Sequence, residues 1–179
     1  MNEHIIAFSV TGIIFGLTAG LSPGPILTLV ISETIRNSKK EGYKVAVVPL
    51  ISDIPVVLLC LYILNKIAKF NMIIGIIALF GAVFIAILAW DSFKAVPATV
   101  SDQPVSKTGA FKKGLLANLF SPHPYMFWLT IGAPTVFKAL SHHFWAGIGY
   151  IGWFYICLVG SKLVVAYLVD RSKSFLKST

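Results

Sequence analysis

Leu21-Ser22-Pro23-Gly24-Pro25 interrupts an apolar run that otherwise extends from Ile5 to Ile35. Proline has no N–H and clashes with the turn before it, and glycine admits positive φ, so a helix entering at Leu21 must break and restart near Ile26. The break strips main-chain carbonyls and amides of their helical partners. Hydrocarbon offers them none, so such backbone persists at membrane depth only where it is buried in protein or lines a wet cavity. Taken alone, the stretch also fits a simple proline kink.

A second stretch, Phe120-Ser121-Pro122-His123-Pro124, repeats the Ser-Pro-x-Pro pattern in another apolar segment. Superposing the two sets Leu17 on Leu116, Ser22 on Ser121, Pro23 on Pro122 and Pro25 on Pro124. Broken helices at corresponding positions of two halves point to the binding site of a transporter, because half-helix ends present partial charges to a polar solute. The echo therefore favours paired breaks over a lone kink.

Composition agrees. Of 179 residues, 56% are hydrophobic and only 12% charged, too little polar surface to cover a soluble globule. The net charge of +8 resides in short loops between apolar segments rather than along one face, which excludes a nucleic-acid reader and matches a positive-inside membrane protein. Cys60 and Cys157 lie in apolar segments without a CxxC or ligand spacing, so neither metal nor cofactor is called for.

The first span, from Ile5 to Ile35, has no basic leader and no small-residue cleavage site and is expected as a retained helix. Glu33 near its end is read as an interfacial ion-pair partner beside Arg36 and Asn37. Arg36 to Lys44 is a basic loop in which Gly42 ends or turns a helix. The second span, Tyr43 to Leu64, carries Asp53, the sole acid near the middle of any predicted span. A carboxylate at that depth costs several kcal/mol unless paired, hydrated or protonated, which makes Asp53 a functional candidate, with helix packing as its alternative.

A third span is predicted from Met72 to Phe93, dotted with Gly75, Gly81, Ala82, Ala86 and Ala89 and closed by an interfacial Asp91. Ala95 to Gly109 is a polar linker. The fourth span, Gly114 to Val136, holds the second break, with Asn118 one turn before it and His123 inside it; Phe127 and Trp128 are assigned to packing. Lys138, His142 and His143 mark an external loop without a third metal ligand. The fifth span, Phe144 to Val169, contains Lys162, expected to snorkel towards Asp170, Arg171 and Lys173.

Arg36, Lys39, Lys40, Lys44, Lys94, Lys107, Lys112, Lys113, Arg171, Lys173 and Lys177 fall on one side of these spans and Lys66, Lys69 and Lys138 on the other. This bias sets the N-terminus outside and the C-terminus in the cytoplasm. The expected fold is an all-α integral membrane domain over residues 1–179. Repeat one covers about 1–94, and an inverted, incomplete repeat two about 110–179. The candidate substrate-binding residues are Ser22, Pro23, Gly24 and Pro25 at the first break, Asn118, Ser121, Pro122, His123 and Pro124 at the second, and Asp53.

Gly16-x-x-x-Gly-Leu-Ser-Pro-Gly-Pro25, the basic turn with Gly42, Asp53 in the second span and Phe111-Lys-Lys-Gly-Leu-Leu-Ala-Asn-Leu-Phe-Ser-Pro-His-Pro124 together resemble the lysine exporter (LysE/RhtB) family of amino-acid efflux proteins. The resemblance implies a six-helix exporter of amino acids or related small metabolites in the cytoplasmic membrane, with the prolines and nearby polar residues around the path. Proton coupling and a homo-oligomer are compatible with it. Two features differ. Family members commonly carry Asn-Pro-Lys where this chain has Ser121-Pro122-His123, and they have a sixth helix where this chain ends at Thr179, a shortened sequence or a span supplied by a partner being the alternatives. An ion or metal transporter would want more intramembrane carboxylates, thiols or imidazoles, and a membrane scaffold would not need paired breaks.

The cation bias makes a direct prediction. Reporter fusions after Lys113 and Lys173 are expected in the cytoplasm and one after Lys69 outside; a cytoplasmic signal at Lys69 would remove the inversion of the two repeats.

Overall fold

The computed structural model describes residues 2–67 and 109–176, with 75–76, 79–80, 82–83, 86–87 and 90 between them. The expected third span is therefore described only at those few helical positions, and Asp91 and the linker up to residue 108 lie outside the described residues. The elements are α1 (Asn2–Leu21), α2 (Pro25–Arg36), α3 (Lys39–Ala46), α4 (Pro49–Ile67), α5 (Ala110–Leu119), α6 (Pro122–Phe127), a π-helical turn (Trp128–Gly132), α7 (Ala133–His142) and α8 (Phe144–Leu176). No strand occurs among the described residues. Among the described residues, three stretches are long and apolar enough to cross a membrane: Asn2–Leu21, Lys39–Lys66 and Phe144–Lys173. The second broken helix does not count among them because its pieces are short.

Both breaks lie where the proline pattern sets them. α1 stops at Leu21 and α2 starts with Pro25 at its first position, while α5 stops at Leu119 and α6 starts with Pro122 at its first position. Proline suits that position because the N–H it lacks has no helical acceptor there. Gly24 does not take a positive φ, contrary to expectation. It is extended, with φ −168° and ψ 177°, a conformation open to any residue, and a Cβ there would approach only Ser22 O, at 4.0 Å.

The basic segment after Arg36 is mostly helix rather than loop. Gly42 lies inside α3 and is buried, and it neither ends nor turns a helix: a Cβ on it would press on Thr34 and come within 3.1 Å of Val30 O, so the glycine lets α3 lie on α2. Lys138 and His142 likewise belong to α7, leaving His143 as its cap. α8 continues past Val169 to Leu176 because Asp170, Arg171 and Lys173 extend the helix beyond its apolar part.

The closest packing joins α1 to α8. Gly12, Gly16 and Gly20 form the buried stripe of α1, and added Cβ atoms would strike the main chain of Tyr150, the main chain of Phe154, and Ser161 with Leu158, respectively. Both helices advance by one turn at each contact, so they run parallel. Ile6, Val10, Ile14 and Leu17 on the other side of α1 are exposed, as lipid-facing residues would be. Small residues permit this approach where lipid supplies no hydrophobic drive between helices.

The two broken helices run antiparallel. At one end the His4 and His142 rings stack at 4.3 Å; at the other, Lys113 Nζ meets Glu33 Oε1 at 2.7 Å. Glu33 is buried at 4% exposure and also accepts from Asn37 Nδ2, so its ion pair is an internal tie between α2 and α5 and not a solvated one.

If the glycine stripe sets the α1–α8 distance, Gly16→Leu should destabilise the protein by about 2 kcal/mol or more, because rigid backbone stands where the side chain must go. Ile14→Leu, on the exposed face, should leave the detergent melting temperature unchanged. Equal melting of all three proteins would contradict the packing role.

Candidate functional site

Breaking α1 releases particular acceptors. In an uninterrupted helix Ala19 O would bond residue 23 and Gly20 O residue 24, but Pro23 has no N–H and Gly24 has left the helix. Lys162 replaces both donors. Its Nζ lies 2.8 Å from Gly20 O and 3.3 Å from Ala19 O, with the residue only 4% exposed. Lys162 therefore does not snorkel. It caps the carbonyl end of α1, where the helix dipole favours a cation.

The second break is held from the other half of the chain and with the opposite charge. Asn118, at the end of α5, donates from Nδ2 to Asp53 Oδ1 at 2.7 Å and to Ser52 Oγ at 2.6 Å. Tyr155 donates its hydroxyl to Asp53 Oδ2 at 3.4 Å. Asp53 is 4% exposed. After the break, Ser121 Oγ accepts from His123 N at 3.3 Å and starts α6 as its N-cap, and Tyr125 donates to Leu119 O at 2.8 Å.

Between the breaks lies a cavity of about 120 Å³. Ser22, Pro23, Gly24 and Pro25 line it from the first break, Asn118, Ser121, His123 and Pro124 from the second, and Asp53 from α4. Pro122 is not on its wall; it is the first residue of α6 and serves to restart that helix. Lys162, Phe127 and Trp128 line it too, although the sequence reading gave them only packing or interfacial roles. The remaining walls are largely apolar, so the few polar groups would decide what binds and in which orientation.

The π-helical turn explains the aromatic wall. Opening one turn beside α6 gives Trp128 its inward place, buried against Phe154 in an edge-on contact with ring centroids 5.4 Å apart. Gly132 makes room for the indole, since a Cβ there would come within 2.9 Å of its ring carbons. Thr130 Oγ1 returns a hydrogen bond to Met126 O at 2.6 Å, satisfying one carbonyl in the widened region. No group of three or more His, Cys, Asp or Glu side chains suited to a metal occurs among the described residues.

A family model described as LysE type translocator matches residues 17–177, and the chain belongs to that family. It is a membrane translocator. No curated protein and no solved structure matches the chain.

The open space at Gly24 is testable. Gly24→Val keeps the extended backbone but projects a branched side chain into the cavity, so solute flux should fall by roughly tenfold or more while stability shifts by less than about 1 kcal/mol. Undiminished flux would show that solute does not pass this point.

Proposed function

We propose that this LysE type translocator exports amino acids or related small polar metabolites across the cytoplasmic membrane, with the cavity between the two breaks as its substrate site. One observation carries the reading: two interrupted helices from different halves of the chain, a buried carboxylate and a buried ammonium all face one small, mostly apolar cavity. Polar groups are held in such a place at a cost that packing alone would not require. The family supports translocation, and the cavity supports a small solute with polar ends.

The chain acts as a single transport domain with its N-terminus outside and its C-terminus inside, two inverted repeats being joined by the linker before Gly109. The antiparallel course of the broken helices supports this arrangement. Transport proceeds by alternating access about the central cavity. Ser22 to Pro25 and the second break offer half-helix ends to the substrate, and Asp53 receives its amine or carries a coupling proton.

Asp53→Asn separates these roles from packing. The amide can still accept from Asn118, so folding should persist while the titratable charge is gone. Initial efflux from loaded vesicles, normalised to membrane protein, is expected to drop by roughly tenfold or more. Asp53→Glu distinguishes the two functions, because a proton carrier tolerates one more methylene whereas a fixed amine contact loses affinity. Full activity of Asp53→Asn with an unaltered pH profile would exclude the assignment.

A further inference from the structure

Lys162 does more chemically than capping requires. Serine, asparagine or glutamine can donate to a carbonyl without bringing a charge, and an uncompensated buried ammonium costs several kcal/mol. Two neutral carbonyls and the end of one helix dipole offset that only in part. Among the described residues no carboxylate lies within ion-pair distance of Lys162, and Asp53 reaches it only through its field across the cavity. Of the three ammonium donors, Gly20 and Ala19 take two. One remains, and the side chain lines the cavity.

The neighbourhood also favours an anion. Ile26 and Leu27 line the same cavity in the first turn of α2, where main-chain N–H groups have no acceptor within the helix. Lys162 is the only lysine or arginine among the described lining residues. The cavity thus has one cationic corner, next to the first break, and one carboxylate, at Asp53.

We propose that Lys162 is the carboxylate anchor of the transport site, binding the substrate's carboxylate through its free ammonium donor while the substrate's amine turns towards Asp53. This rests on the cavity being the substrate site. It makes the preferred solute a zwitterion, and it makes Lys162 a specificity residue as well as a helix cap. A solute with an amine but no carboxylate would leave the cation unpaired and be disfavoured.

The test compares an amino acid that the wild type exports with the amide of the same amino acid, which keeps amine and side chain but loses the carboxylate. Purified protein in loaded proteoliposomes should move the acid faster than the amide by roughly tenfold or more, since a site built for a polar group rejects the analogue without it. Lys162→Gln, which keeps a donor for Gly20 O and Ala19 O but not the charge, should abolish that preference, lowering the rate for the acid much further than that for the amide. Were Lys162 only a cap, acid and amide would slow together in Lys162→Gln, and the proposal would be overturned. Lys162→Met removes cap and charge together and should slow acid and amide alike, so the difference between the two variants isolates the charge. Absence of any acid preference in the wild type would overturn the proposal without a variant. Failure of the wild type to move any amino acid of a panel would remove the exporter reading and this inference with it, whereas parallel loss of acid and amide in Lys162→Gln removes only the anchor.

Discussion

A main-chain carbonyl in hydrocarbon must find a donor within the protein, and the carbonyls of Ala19 and Gly20 find theirs on Lys162. The break in α1 depends on that interaction, and the cavity depends on the break. An unsatisfied buried acceptor costs roughly 1–3 kcal/mol, so two of them would favour closing or unfolding the end of α1. Donors from α8 let the chain leave the helix at Leu21 and re-enter it at Pro25. The space between is what Gly24 and Pro25 line.

Lys162 can reach those carbonyls because of glycines elsewhere. Gly12, Gly16 and Gly20 meet α8 in the same register as Tyr150, Phe154 and Leu158, one turn per contact. Continuing that register sets residue 162 beside residue 24. Helical side chains lean towards the N-terminus of their helix, so the lysine reaches back along α8 by about one turn and arrives at Gly20. A bulky residue in the stripe would move α8 outward and withdraw the ammonium. The small residues of one segment and the cation of another are thus parts of a single device.

Much of this was legible in the chain, for local reasons. Missing N–H groups are written into proline, so both breaks and their restart points follow from Pro23, Pro25, Pro122 and Pro124 without any knowledge of neighbours. Asp53 stood out because an acid deep in an apolar span has few explanations. Lys162 was misjudged because reach along one helix is visible in sequence, whereas the surface packed against that helix is not. Water would have been near enough for a snorkelling lysine had α1 not covered it. Gly42 and Trp128 were missed for related reasons: helix-terminating and helix-packing glycines look alike, and an inward tryptophan depends on a π-helical turn that hydropathy does not report. A signal was present for Lys162, namely a cation twelve residues after Tyr150 of a Gly-Tyr pair and eight before an Asp-Arg pair, at the spacing of the face that carries Tyr150, Phe154 and Leu158.

The two charges answer to each other across the two halves of the chain. Lys162, from the second half, satisfies carbonyls at the break in the first; Asp53, from the first half, accepts from Asn118 at the break in the second. Each break therefore keeps its shape only while the other half stays in place, and each adds one buried charge of opposite sign to the same cavity. The sum is zero, which a low-dielectric enclosure favours over either charge alone. A solute that is itself neutral overall but charged at both ends preserves that balance, whereas a plain cation or anion adds a net charge to it. On the proposed reading, selectivity for charge distribution would arise from the same contacts that make an interrupted helix tolerable in a membrane.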